Sequence, residues 1–368
     1  MRKATGRNYL SGCVCCETPS PFTSTAVSRR GFLSGAAATG LAASTFTATP
    51  APAQTPAKPR RIDVHHHVVP PVQREALTAR GSRPTPWSLQ GTLEDMDKGG
   101  VATSIVSILN PGVWFGQVGE DSRRLARQCN EYCAQLGRDH PGKFGFFAAI
   151  PLPDTEGSLR EIEYSLDILK ADGIALWTTY TPNKYLGDPS FVPVFEELNR
   201  RKALIYTHPT VPDCCGNVVK GVPVSAIEYA TDTTRTVASM LFGEAGTAFR
   251  FPDIRWIWSH SGGTIPFLTS RLIRLAYERK DPRMPMPAGP MPILEKYYYE
   301  VAQGNTPGQL AALTKMVSTS QILFGSDYPF RDAKEAVDGL FDYKFPAADL
   351  RAIEYENAIR LMPRLKSS

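Results

Sequence analysis

The chain has 368 residues, of which 42% are hydrophobic and 21% charged, a balance that suits one large buried core or two modest ones and excludes disorder for its bulk. Its formal net charge of +5 is unevenly placed, because residues 1–53 hold five Lys or Arg against one acid and leave 36 basic against 35 acidic residues for the rest. A near-neutral body gives no electrostatic footing for nucleic acid.

The first element in chain order is a processing segment. Ser28-Arg29-Arg30-Gly31-Phe32-Leu33 has the form of a twin-arginine export signal, and Ala51-Pro52-Ala53 supplies a small-x-small cleavage pattern. The run between them, Gly35 to Phe46, is rich in Ala, Gly, Ser and Thr, too short and too mild to span a membrane. We expect residues 1–53 to be a leader removed on export, placing the body in the periplasm or outside the cell. A retained tail on a cytoplasmic protein is the alternative. Of the seven cysteines, Cys13, Cys15 and Cys16 would leave with the leader. Cys129, Cys133, Cys214 and Cys215 lack paired zinc-site spacing and read as buried thiols.

Residues 54–60 read as a linker. From residue 61 to 368, short apolar runs alternate with helical patterns. Ile62-Asp63-Val64 is a strand running into histidines, and Thr103 to Leu109 is a second. A helix from Asp121 to Arg138 shows Leu125, Cys129, Tyr132 and Leu136 on one face. Phe144 to Ile150 is the third strand. Ser158 to Lys170 is amphipathic, with Leu159, Ile162, Leu166 and Leu169 at helical spacing. Ile174 to Trp177, Ala203 to Thr207, Arg255 to Ser259, Tyr297 to Val301 and Ile322 to Gly325 complete eight strands. Helices from Phe191 to Arg201 and from Thr231 to Phe249 lie among them. Alternation of this kind implies parallel strands joined by helices. Eight units in about 300 residues predict an α/β fold of the (β/α)8 TIM-barrel type. No Gly-rich dinucleotide loop follows the first strand, which argues against a Rossmann fold.

The chemistry concentrates at the strand ends. The chain has only six histidines, and in a barrel the residues that close the strands converge on one face. Strand alternation lets His65 and His67 face the axis together while His66 points outward. Two imidazoles on one strand end are half a metal site. His208 closes Leu204-Ile205-Tyr206-Thr207, and His260 closes Trp256-Ile257-Trp258-Ser259. Each is, on its own, either a satisfied core histidine or a site residue. Asp327 closes Ile322-Leu323-Phe324-Gly325-Ser326, where a buried carboxylate needs a partner; a metal ion or His260 would serve. His140, in Asp139-His140-Pro141, reads as structural. Trp114, Phe115 and Trp177 read as core packing before pocket lining.

In this order the motifs resemble the amidohydrolase superfamily. Within it they are most similar to the aminocarboxymuconate-semialdehyde decarboxylase branch, with its resorcylate-type and 6-methylsalicylate-type decarboxylases. The resemblance runs from Ile62 to the C-terminus. It rests on Ile62-Asp63-Val64-His65-His66-His67, His140-Pro141-Gly142-Lys143-Phe144, Leu186-Gly187-Asp188-Pro189, Thr207-His208-Pro209, His260-Ser261-Gly262-Gly263 and Phe324-Gly325-Ser326-Asp327-Tyr328-Pro329. It implies His65, His67, His208 and Asp327 as metal ligands, with His260 as acid/base and Asp327 beside it in the catalytic set. Many relatives outside this branch carry a lysine at the end of the fourth strand that bridges two metals. Here that end reads Leu176-Trp177-Thr178-Thr179, so one divalent ion is expected, zinc first and manganese second. Arg271 and Arg279, after His260, and Arg80 and Arg83, before Trp87, stand at offsets where the branch binds substrate carboxylates. The resemblance also implies a homodimer. The expected activity is non-oxidative decarboxylation of an aromatic or unsaturated carboxylic acid. Metal-dependent hydrolysis of an amide, ester or lactone is the alternative. A small-molecule carboxylic acid is the expected partner, with no nucleic acid and no membrane span in the mature chain.

Overall fold

The computed structural model describes residues 60–180, 182–216, 218–279 and 286–367. The expected leader, with Cys13, Cys15 and Cys16, and the linker apart from Arg60 lie outside the described residues.

Eight parallel strands lie side by side in chain order: β1 Arg61–Val68, β2 Val101–Ile108, β3 Phe144–Ala149, β4 Gly173–Trp177, β5 Leu204–His208, β6 Arg255–Trp258, β7 Tyr298–Glu300 and β8 Ile322–Leu323. Past β8 the chain returns to β1. Val64 N donates to Phe324 O (3.0 Å), Asp327 N to His65 O (2.8 Å) and His67 N to Tyr328 O (2.8 Å). These bonds bring the first and last strands together and make the (β/α)8 barrel that the alternation predicts.

A helix follows each strand: α1 Leu89–Gly99, α2 Glu120–Asp139, α3 Thr155–Glu163, α4 Val192–Arg200, α5 Val224–Phe242, α6 Ile265–Arg279, α7 Pro307–Met316 and α8 Ala333–Tyr343. Local capping sets several starts. Ser88 accepts from Gly91 N (3.1 Å) and Asp332 from Glu335 N (2.8 Å). Asp154 accepts from Gly157 N (3.0 Å), which starts α3 three residues before the apolar pattern does. The larger departure is α5, expected from Thr231 to Phe249 and found from Val224 to Phe242. Its first two turns are exposed or half-buried, so they carry no apolar period to announce them. Among the described residues no helix is long and apolar enough to cross a membrane.

Two packed layers position the site. Inside the barrel, Ile62, Val64, Phe147, Tyr206 and Leu323 meet Leu361, Met362 and Leu365 from the C-terminal segment. That segment covers the N-terminal ends of the strands, where Arg255 donates to Leu361 O (3.0 Å). Burying a side chain such as Phe147 or Leu323 stabilises by about 1.5–3 kcal/mol. Between sheet and helices, Trp256 and Trp258 stack with ring centroids 5.6 Å apart. On α6 only Ile265 and Leu272 are buried, and Phe267 and Tyr277 stand exposed.

The cysteine expectation holds for one pair and is corrected for the other. Cys129 and Cys133 are buried free thiols on α2, whereas Cys214 and Cys215 are joined in a vicinal disulfide. They are chain neighbours in the loop after β5, so no long-range fit is needed to join them.

Candidate active site

The site begins with an irregularity in β1. Its pairing with β2 advances from Asp63↔Ser104 to His66↔Val106, three residues against two. This bulge resets the phase of the strand. Ile62 and Val64 point into the barrel core, and past the bulge His65 and His67 take over the inward positions. His66 turns away, its Nδ1 donating to Asp63 Oδ2 (3.1 Å) and its ring stacking on Tyr328 at 4.8 Å.

His65, His67, His208 and Asp327 meet at the C-terminal mouth. One donor atom from each lies within 4.8 Å of the other three, and all four residues are buried. His65 Nε2 is 3.1 Å from His67 Nε2, and Asp327 Oδ1 lies 3.1 Å from the first and 3.2 Å from the second. Behind each ring an oxygen holds Nδ1: Glu300 Oε1 for His65 (2.8 Å), Ser107 Oγ for His67 (3.3 Å) and Pro209 O for His208 (2.7 Å). A carbonyl only accepts, so His208 carries its proton on Nδ1 and turns a lone pair inward. Asp327 Oδ2 accepts from Gln303 Nε2, while the buried Oδ1 has no hydrogen-bond partner. Three inward imidazole nitrogens and one orphaned carboxylate oxygen are the donor set of a divalent-cation site, and the residues fit that group.

The electrostatics follow from burial and neighbours. Burial would lower the His65 pKa, but the carboxylates of Glu300 and Asp327 outweigh it and push it up to about 10. Burial pulls His67 down, and burial with the neighbouring imidazoles His67 and His65 pulls His208 well down. Burial opposes ionisation of Asp327, yet His65 and His67 hold its carboxyl well below the usual range. His67, His208 and Asp327 therefore present lone pairs at neutral pH.

His260 stands over this cluster, its ring 5.0 Å from His65 and 5.6 Å from His208 by centroids. Its Nδ1 donates to Ala302 O (2.9 Å), which leaves Nε2 as the nitrogen able to exchange a proton. The cluster opens into a cavity of about 620 Å³ bordered by Asn110, Tyr229, Gln303, Phe330 and Arg331. Asn110 Nδ2 donates to Tyr229 OH (3.0 Å), and its Oδ1 accepts from Thr210 Oγ1 (2.8 Å).

The expected arginines are elsewhere. Arg80 donates to Ala76 O (2.9 Å) and lies over the Phe115 ring, Arg279 donates to Phe242 O (3.0 Å), and Arg271 is exposed on α6. None of them, nor Arg83, borders the cavity; Arg331 is its one Lys or Arg among the described residues. Trp114, Phe115 and Trp177 pack in the core or against it. His140 caps α2 and packs on Phe144 at 5.9 Å, away from the site. Sequence reasoning also passed over Glu300, although an acid closing an apolar strand was the signal that found Asp327. Asp63 was likewise unassigned. Its carboxylate accepts from His65 N (3.0 Å), Ser326 N (3.0 Å) and Ser326 Oγ (2.6 Å), clamping β1 to the turn that carries Asp327.

The decarboxylase yanB of Aspergillus niger is 34% identical over 330 residues, covering 83% of this chain and 88% of that protein. The 6-methylsalicylic acid decarboxylase of Penicillium expansum is 33% identical over 321 residues, covering 83% of this chain and 97% of its own length. A dihydroxybenzoic acid decarboxylase from Polaromonas sp. JS666, solved with bound manganese and the inhibitor 2-nitroresorcinol, shares the fold. Its TM-score is 0.74 at 20% identity, over 83% of this chain and 97% of that one. The amidohydrolase family model matches residues 62–364, a span that opens at β1 with its histidines and closes beyond the turn that carries Asp327. The chain belongs to the amidohydrolase family.

Proposed function

We propose that the chain is a metal-dependent, non-oxidative decarboxylase of an aromatic carboxylic acid. The observation that carries this reading is the fully buried four-residue donor set on the cavity floor, with the His260 imidazole above it. The named activities of the Aspergillus and Penicillium relatives support it. His65, His67, His208 and Asp327 hold one divalent ion, zinc first and manganese second, and the manganese of the Polaromonas relative supports the second choice. When bound, the ion supplies a Lewis acid that orients and polarises substrate oxygens.

The chain's own residues do the rest. His260 Nε2 gives its proton to the ring carbon that bears the carboxylate. The bond from that carbon to the carboxyl carbon breaks, and its electron pair returns to the ring. Carbon dioxide leaves and a carbon–hydrogen bond stands in its place. Phe330 and Tyr229 offer faces for an aromatic ring. No oxidant or organic cofactor enters this balance.

The test is carbon dioxide release from a hydroxybenzoate panel by metal-loaded protein. Cleavage of a lactone or amide panel with no gas released would overturn the reading in favour of hydrolysis. Arg331 offers a second check. Its guanidinium side chain is 53% exposed and 3.9 Å from Glu335, so it attracts an anion from a partly screened position. Arg331→Ala is expected to raise KM about three- to tenfold with kcat held, the pattern of lost uniform binding. A fall in kcat at constant KM would place Arg331 in the chemical step instead.

A further inference from the structure

Glu300 closes β7, is fully buried, and accepts three hydrogen bonds. Oε1 takes His65 Nδ1 (2.8 Å) and the His260 backbone N–H (2.7 Å), and Oε2 takes the Ala302 N–H (2.7 Å). We propose that Glu300 is a positioning residue that locks the metal-facing nitrogen of His65 and the proton-exchanging nitrogen of His260 into one register. This rests on the decarboxylase reading for the role of His260, and only on the donor set for the role of His65.

At His65, a carboxylate oxygen against Nδ1 makes that nitrogen the donor and leaves Nε2 facing the cavity floor, where a cation would take the place of its proton. At His260 the chain is in an unfavourable conformation. Residues His260, Ser261, Gly262 and Gly263 all have positive φ, at 53°, 56°, 75° and 63°, and the first two carry side chains that disfavour it. Glu300 Oε1 holds the N–H that opens this turn. The same carboxylate acts on the His260 ring. Ring Nδ1 donates to Ala302 O (2.9 Å), and the N–H of Ala302 is the one that Oε2 holds. Both the backbone and the ring of His260 thus refer to one side chain, which also refers to His65. The segment just past the neighbouring strand β8 leaves room for it: a Cβ on Gly325 would stand 2.1 Å from Glu300 Oε2 and 2.9 Å from His65 Cβ.

Glu300→Gln keeps the volume and replaces one acceptor oxygen by a donor. Three readouts are taken on the zinc-loaded protein. They are zinc affinity by chelator competition, the Nδ1–H signals of His65 and His260 by nitrogen-15 NMR, and kcat and KM on a substrate from the hydroxybenzoate panel. Zinc affinity is expected to fall about ten- to hundredfold. The His65 Nδ1–H signal should shift or vanish, and kcat should fall by more than KM rises. A purely structural anchor would lower the melting temperature and leave the ring signals in place. Where Glu300→Gln melts early, Glu300→Asp takes the same readouts, because it keeps the charge and draws the carboxylate back by one methylene; a loss of zinc affinity and a shifted His65 ring signal are expected. Unchanged zinc affinity and unchanged ring signals in folded Glu300→Gln would overturn the proposal. If the panel is silent for the parent while Glu300→Gln loses zinc, the role at His65 stands and the decarboxylase reading falls.

Discussion

His260→Ala is expected to keep the cation and lose decarboxylation by about a hundred- to ten-thousandfold, the usual worth of a positioned proton donor. The cation stays because its four donors belong to other residues. The turn stays because the bond to Glu300 comes from the backbone N–H, which alanine retains. What goes is the nitrogen opposite the Nδ1–Ala302 hydrogen bond. The measurement pairs elemental analysis of the purified variant with single-turnover carbon dioxide release. Loss of metal in this variant would mean that His260 belongs among the ligands.

Asp327→Ala should act on the cation itself. Asp327 supplies the only carboxylate oxygen of the four-residue set, and its Oδ1 stands 3.1 Å and 3.2 Å from two of the imidazole nitrogens. Removing one partner of a buried charged group costs about 3–5 kcal/mol, which corresponds to roughly two to four orders of magnitude in affinity. Purified Asp327→Ala is therefore expected to hold little metal and to show no turnover, with added zinc restoring neither at micromolar levels. The neighbouring ladder explains why the fold should survive. The backbone bonds from Asp327 N to His65 O and from Ser326 N to Asp63 do not use the missing carboxylate. Full occupancy by elemental analysis would remove Asp327 from the site.

The sequence makes some of this legible and hides the rest for physical reasons. Strands that are apolar and end in histidine announce both the barrel and its mouth, because a polar group after a buried run has to be satisfied at the open end. His65, His67, His208 and Asp327 are readable on that ground, and the structure brings their donor atoms together. Glu300 carries the same kind of signal but closes a strand of only three residues, Tyr298–Glu300, in a run of tyrosines that reads as packing. Its partners come from β1 and from the turn after β6, and only the closed sheet makes them neighbours. Arg331 is hidden for another reason. It lies four residues past Asp327, and its direction depends on the path of the chain after β8, which no local periodicity encodes. Arg271 and Arg279 on α6, and Arg80 and Arg83 before Trp87, lie outside the cavity lining of this chain, whose wall is built by the first turns of α5 and the exit of β8. Departures from the regular pattern, the bulge in β1 and the unannounced start of α5, thus cluster where the chemistry is.

The join between the first and last strands has a consequence for biosynthesis. Asp63 and Ser326, which clamp that join, are 263 positions apart in the chain. In a nascent polypeptide His65 and His67 emerge together, and the carboxylate that shares their donor set follows 260 residues after His67. Until Asp327 has been made there is no four-donor set to load, only scattered side chains.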